Sequence, residues 1–210
     1  MKRTEVSRAT IGRIPVYLKY LKGTDHYTEN ISATILANKL GLGEVQVRKD
    51  LAAVSGAGRP KTGYNINELI AALEAFLGQD NAGGVVIIGA GKLGRALLDY
   101  SGFMDYGLEV AAAFDEAVTD SGVLSNSGKP IYPMEHLEEF CKKNNVTIGV
   151  ITVPADQAQS VCDRLIKNGI KGIWCFAPCC LNLPVNIPVK YENMALSLAC
   201  LNNKINCHGG

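Results

Sequence analysis

The sequence predicts an α/β fold in two parts, a basic helical lobe followed by a parallel-sheet lobe, and three observations carry that prediction. First, VVIIGAGKLGRALLDY at residues 85–100 reads as a buried strand, a glycine turn and a helix, and 84 residues precede it. Second, charge is divided unevenly. Residues 1–64 carry 11 Lys+Arg against 5 Asp+Glu, and residues 65–210 carry 10 against 15, so a basic part and an acidic part lie behind an overall charge of +1. Third, apolar strand patterns alternate with helical patterns after residue 85, as a parallel sheet requires.

Taken in chain order, IGRIPVYLKYLKG repeats Ile11, Ile14, Leu18 and Leu21 at helical spacing, with Lys19 and Lys22 turned elsewhere and Gly23 ending the helix. Ser32 is an N-cap for ATILANKLGL, whose Ile35, Leu36 and Leu40 are expected to pack. After the turn at residues 41–43, EVQVRKDLAAV forms a third helix with Val45, Leu51 and Val54 inward, leaving Gln46, Arg48 and Lys49 for an outer face. Two short helices joined by a glycine turn form a helix-turn-helix, whose second helix enters the major groove. SGAGRPKTGY then suits a basic hairpin wing carrying Arg59 and Lys61. Arginine on the reading helix can address guanine, whereas the other cations mostly neutralise phosphates. A solvated cationic helical domain is the competing reading. NINELIAALEAFLG adds a helix with Leu69, Ile70, Leu73, Phe76 and Leu77 along one stripe, expected to bridge the two parts, and QDNAGG is a polar linker.

In the second part Gly89, Gly91 and Gly94 form a GxGxxG turn: the first glycine permits the bend, the second lets a phosphate approach, and the third packs helix on strand. Unpaired N–H groups at that helix start attract a pyrophosphate. EVAAAFD places Asp115 at the end of the next strand, 21 positions after Gly94, where a carboxylate accepts from ribose hydroxyls and repels a 2′-phosphate. NAD(H) is therefore favoured over NADP(H), with coenzyme A or another nucleotide as a competitor for the same turn. The expected coenzyme contacts are Gly89, Ala90, Gly91, Lys92, Leu93, Gly94, Asp115, Val153 and Pro154. MEHLEEFCKKNN (helix), VTIGVITVP (strand), ADQAQSVCDRLIKNGI (helix) and GIWCFAP (strand) continue the alternation. LPVNIPVKY reads as an edge strand interrupted by Pro188. NMALSLACLNNKI closes the chain as a helix whose stripe of Met194, Leu198 and Leu201 needs a cover.

Several function classes are disfavoured. With 47% apolar and 20% charged residues the composition is that of a globular protein. No apolar run nears the roughly 18 residues that span a bilayer, and MKRTEVSRAT lacks a signal-peptide core, so a cytoplasmic location is expected. Seven cysteines, an odd number without a CxxC pair, argue against a disulfide framework, and the CFAPCC cluster matches no standard zinc spacing. Hydride transfer needs a proton donor beside the nicotinamide. The three histidines, His26, His136 and His208, are poorly placed for it, no Tyr-x-x-x-Lys pair exists, and no substrate domain remains. A small oxidoreductase using Cys175, or a peroxide-sensitive thiol there, is the alternative to a non-catalytic sensor.

The ordered motifs IPVYLKYL, VQVRKDL, the GY closing the wing, GAGKLGRALLDYSGF, VITVPADQAQSVCDRLIKNGIKGIW and FAP cover nearly the whole chain, which resembles the Rex redox-sensing transcriptional repressors of bacteria. The resemblance implies a homodimer that binds double-stranded operator DNA when NADH is scarce and releases it when NADH rises, without catalysis. It implies a winged-helix domain over 1–80, a Rossmann-type NAD(H) domain over 81–192, and a swapped carboxy-terminal helix and tail over 193–210. It also implies a subunit switch at Lys19, Tyr100 and Asn193, with Met194 at the dimer contact and Phe103 a coenzyme contact near the nicotinamide. Lys19 stands where the family has arginine, Cys175 where it has asparagine, and Asn193 where it has aspartate; Ser55 and Pro60 also depart from the family wing. Replacing an ion pair by an amide contact is expected to alter the redox response.

Overall fold

The computed structural model describes residues 6–23, 29–78, 83–120 and 122–207. Two compact units emerge, Met1–Ala82 with Met104–Gly107, and Gly83–Phe103 with Leu108–Gly210.

The first unit contains α1 (Arg8–Gly23), β1 (Asn30–Ile31), α2 (Ala33–Leu40), α3 (Glu44–Ser55), β2 (Tyr64–Asn65) and α4 (Ile66–Leu77). Ser32 caps α2 in agreement with its sequence position, its hydroxyl accepting from the Ile35 N–H at 3.1 Å. Gly41, in the left-handed region, ends that helix. Asn65 caps α4 in the same way as Ser32 caps α2.

Ile14, Leu18, Leu21, Leu36 and Leu51 are buried as the spacing predicts, and Leu40 and Val54 pack against the same core, whereas Ile11, Ile35 and Val45 turn outward. On α1 the buried residues are Thr10, Ile14, Tyr17, Leu18 and Leu21, with Ile11 39% exposed. On α2 they are Ala33, Leu36 and Ala37, with Ile35 half exposed; on α3, Val47, Asp50 and Leu51, with Val45 outward. A helix turns about 100° per residue, so only one of the neighbouring apolar positions Ile35 and Leu36 can face the core. Pro15 lies inside α1, where it removes the N–H that would reach the carbonyl of Ile11, an exposed position open to water.

The wing is a short hairpin. Arg59 and Gly63 exchange backbone bonds of 2.7 and 2.9 Å, Lys61 sits in the turn with φ 67°, and β2 pairs antiparallel with β1, Tyr64 opposite Ile31. Gly63 has φ 80°, and a side chain there would meet the Ile31 carbonyl oxygen at 2.4 Å. Only glycine joins the wing to that strand.

The second unit is a seven-stranded sheet in the order β5-β6-β4-β3-β7-β8-β9. Its strands are β3 (Gly84–Ile88), β4 (Val110–Asp115), β5 (Val123–Leu124), β6 (Pro130–Pro133), β7 (Val146–Ile151), β8 (Gly172–Cys175) and β9 (Val189–Tyr191). Only the β5–β6 pair is antiparallel. Its helices are α5 (Lys92–Leu98), α6 (Leu137–Lys143), α7 (Ala155–Lys167) and α8 (Met194–Cys207). Val86 and Ile88 of β3 join the core with Leu137 of α6 and Leu165 of α7, whereas Val85 and Ile87 join Leu98 of α5 on the other face. Strand β3 is thus covered on both sides, which explains its uninterrupted apolar run. The chain runs from β3 outward to β4, then returns to add β7 on the other flank. This reversal opens a crevice at the carboxyl ends of the central strands.

One interaction in the first unit lies beyond apolar patterning. Asp50 on α3 is 2% exposed and accepts from Arg13 Nε at 2.6 Å, Arg13 Nη2 at 3.0 Å and the Tyr17 hydroxyl at 2.7 Å, all from α1. Burial alone would raise its pKa, but hydrogen bonds from Arg13, Tyr17 and Gln46 outweigh burial and hold the carboxyl at about 2. The Tyr17 hydroxyl is pushed up, first by burial and then by the neighbouring carboxylate. Because the folded pKa of Asp50 is depressed, its contribution is present above the unfolded value of about 4 and is lost as pH falls toward 2. Asp50→Ala is expected to cost about 3 kcal/mol at pH 7, because it strands the Arg13 guanidinium, and to flatten acid sensitivity below about pH 4. Urea unfolding of the full chain at several pH values checks this; an unchanged acid limb in the variant would contradict it.

Candidate functional site

The crevice is built on the glycine turn. Gly89 has φ 101°, Gly91 caps α5, and Gly94 is buried beneath the turn. A Cβ on Gly94 would stand 1.8 Å from the Gly89 carbonyl oxygen, whereas one on Gly91 would meet nothing within 4 Å. The third glycine therefore sets how closely helix and strand approach, and the second leaves backbone accessible. The first N–H groups of α5, including Lys92, Leu93 and Gly94, have no carbonyl one turn earlier in the helix and suit an anion.

Three bonds hold this turn. The Thr152 hydroxyl lies 2.8 Å from the Gly89 carbonyl and 3.0 Å from that of Ile88, and Arg95 Nε donates to the Ala90 carbonyl at 2.9 Å. Opposite, Asp115 Oδ2 accepts from the Ala90 N–H at 2.5 Å and Oδ1 from the Ala117 N–H at 2.8 Å. Its carboxylate is thereby fixed at the end of β4 beside the turn. Gly89, Gly91, Asp115, Val153 and Pro154 line one cleft together with Thr152, Gln157, Met134 and Glu116. Sequence patterning does not single out the last four. Thr152 leaves a trace, a hydroxyl ending the apolar run of β7 level with the glycine turn, but its partner lies 63 residues away.

Farther along the sheet an aromatic series extends from Tyr100 to Phe103 (5.0 Å between ring centres), Trp174 (5.9 Å) and Phe176 (4.6 Å). Phe103 and Phe176 are half-buried, Ala177 is buried, and Tyr100 is exposed at the end of α5. Cys175 at the end of β8 is fully buried, with its thiol 3.7 Å from the Ala177 carbonyl. Burial raises the Cys175 thiol and pushes Cys162 up to about 11, so both remain protonated at neutral pH. That weighs against Cys175 as a nucleophile. His136 is exposed at the end of a short 3-10 turn, while His26 and His208 lie outside the described residues. Among the described residues no group of three or more His, Cys, Asp or Glu side chains could hold a metal ion.

In the first unit Arg48, Arg59 and Lys61 line one cleft with Thr34, Pro60 and Tyr64, so helix and wing cations converge. Lys49 is exposed on the same helix. Arg48 pairs with Glu44 one turn earlier, an exposed contact worth little and readily exchanged. Arg59 lies 3.9 Å from Glu68. Gln46 is exposed, and its amide donates to Asp50 at 3.0 Å. Lys19 is exposed on α1. Asn193 has a local role: its side-chain oxygen accepts from the Leu196 N–H at 2.9 Å and caps α8. Beyond that cap, Met194, Leu198 and Leu201, joined by Leu196 and Ile205, are each more than half exposed.

Residues 5–52 match the family described as putative DNA-binding protein N-terminus, and residues 80–179 match the CoA binding domain. The redox-sensing transcriptional repressor Rex of Carboxydothermus hydrogenoformans is 39% identical over 204 residues, 96% of this chain and 97% of that one. Among solved structures, RSP in complex with beta-NAD+ and operator DNA is 34% identical, covering 97% of this chain and 94% of its own with a TM-score of 0.75. RSP in complex with beta-NADH is 33% identical over 97% and 95% of the two chains, with a TM-score of 0.66. On near full-length identity the chain belongs to the Rex family of redox-sensing transcriptional repressors.

Proposed function

We propose that this chain binds operator DNA through the first unit and releases it when NADH enters the cleft of the second, without catalysing a reaction. The observation carrying this reading is the fixed Asp115 carboxylate facing a glycine turn, on the same chain as a wing and helix whose cations converge. The residues fit the coenzyme: Gly91 is open to a phosphate, the first turn of α5 offers N–H groups, and Asp115 suits an adenosine ribose. When bound, the coenzyme supplies a nicotinamide ring that is charged only in its oxidised form. Phe103 and Phe176, packed in one apolar cluster, are assigned to the wall that disfavours a positive ring by desolvation. Complete switching between 99:1 and 1:99 needs about 5.5 kcal/mol, which two sites in a homodimer share. A second copy of the chain would cover the exposed apolar residues of α8.

Arg48 is assigned to base readout, Lys49 and the wing cations Arg59 and Lys61 to phosphates. Lys19, Tyr100 and Asn193 are assigned to the subunit switch, where lysine lacks the planar fork of arginine and Asn193 carries no charge. The CoA binding domain match favours a second reading, coenzyme A in the same cleft. Equilibrium dialysis against NADH, NAD+ and coenzyme A separates the two.

A gel shift on a two-fold operator is expected to be lost on titration with NADH and to persist at far higher NAD+; equal release by both would contradict redox sensing. Arg48→Ala is expected to weaken specific binding about tenfold or more while NADH affinity stays unchanged. Equal loss of both activities would point to misfolding. Gly94→Ala forces a methyl against the Gly89 carbonyl, and overpacking of about 1–3 kcal/mol, if borne by the bound turn, corresponds to a loss of NADH affinity of roughly 5- to 150-fold. That variant should grip operator DNA and need correspondingly more NADH for release; unaltered NADH binding would show that the turn is not the site.

A further inference from the structure

The carboxylate of Asp50 is saturated. Oδ2 takes Arg13 Nε and the Tyr17 hydroxyl; Oδ1 takes Arg13 Nη2 and, from one turn earlier on the same helix, Gln46 Nε2, the last two at 3.0 Å. An ionised carboxylate only accepts, so the Gln46 amide has no choice of orientation: its NH2 end must face Asp50. The carbonyl oxygen Oε1 then lies at the other end of the amide, and among the described residues no donor reaches it. Gln46 is exposed on α3, as are Arg48 and Lys49.

We propose that Asp50 is a positioning residue for base readout: by holding the NH2 of Gln46 it presents Oε1 as an acceptor, so that position 46 selects a base bearing an exocyclic amine. Adenine fits best, since Oε1 accepts from N6 while the second Nε2 hydrogen donates to N7. Cytosine offers only the amine. This inference rests on the reading of α3 as the DNA-reading helix.

Removing the charge at position 50 reverses the polarity of the amide it holds. In Asp50→Asn, Arg13 Nε and the Tyr17 hydroxyl keep the oxygen at the Oδ2 position, and the introduced NH2, at the Oδ1 position, turns Arg13 Nη2 away and faces Gln46. The Gln46 amide must turn over, with its oxygen inward and its NH2 toward the duplex. A reversed amide seeks an acceptor alone, such as guanine O6 or thymine O4.

The test is selection by the full-length protein from two-fold symmetric duplexes randomised in each half-site, with affinity measurements at several salt concentrations. The native chain should prefer adenine at one position by about tenfold. Gln46→Met should lose that preference and no other, with the salt dependence of binding unchanged, because phosphate contacts are untouched. Asp50→Asn should shift the preference at the same position toward guanine or thymine. A purely structural role would lower affinity equally for every sequence. The proposal is overturned if the native chain selects a sequence but Gln46→Met keeps the full preference, or if Asp50→Asn weakens all sequences alike. Should Asp50→Asn fail to fold, Gln46→Met alone decides: an unchanged profile overturns the proposal, and a loss confined to one base pair supports it. A native chain that selects no sequence at all removes the DNA-binding reading and this inference with it.

Discussion

The second unit depends on the absence of a side chain at Gly94. With hydrogen alone at that position, α5 lies against the Gly89 carbonyl, closer than any Cβ permits. Every other feature of the cleft is built on that approach. Thr152 reaches the same carbonyl from the neighbouring strand, Arg95 ties down the next residue of the turn, and Asp115 is fixed by the Ala90 N–H. The turn is therefore shaped by the chain's own bonds before any ligand arrives, which lowers the ordering cost of binding.

The first unit uses a different means to the same end. Its core of Ile14, Leu36, Leu51, Leu69 and Leu73 is apolar, but what fixes the rotation of α3 against α1 is one buried carboxylate with a bidentate arginine and a tyrosine. Apolar side chains tolerate a small roll of one helix on another; directional bonds to a single carboxylate do not. A buried pair of this kind adds less stability than specificity of arrangement, which suits the role proposed for α3, presenting defined atoms to a groove.

Much of this is legible in the sequence where the determinants are local. The glycine turn, the Ser32 cap, the glycine closing the wing and the alternation of strands and helices are written within a few residues of one another. The registers of Ile11, Ile35 and Val45 are not legible, because in helices of 8 to 16 residues adjacent apolar positions compete and tertiary neighbours choose between them. Asp50 looks like a solvated acid beside Lys49, since its partner Arg13 is 37 residues distant. Strands β5 and β6, two and four residues long, carry too little pattern to be recognised. Asn193 is expected in a subunit switch, and in this chain it caps α8, a role its position before Met194 announces.

Redox-controlled repression requires coupling between the coenzyme cleft and the DNA-reading surface, and thermodynamic linkage makes that coupling reciprocal. The most direct measurement is the calorimetric affinity of the full-length protein for NADH, free and saturated with an operator duplex. The duplex should weaken NADH binding by the same factor by which NADH weakens the duplex. An NADH affinity that the operator leaves unchanged would contradict the coupling.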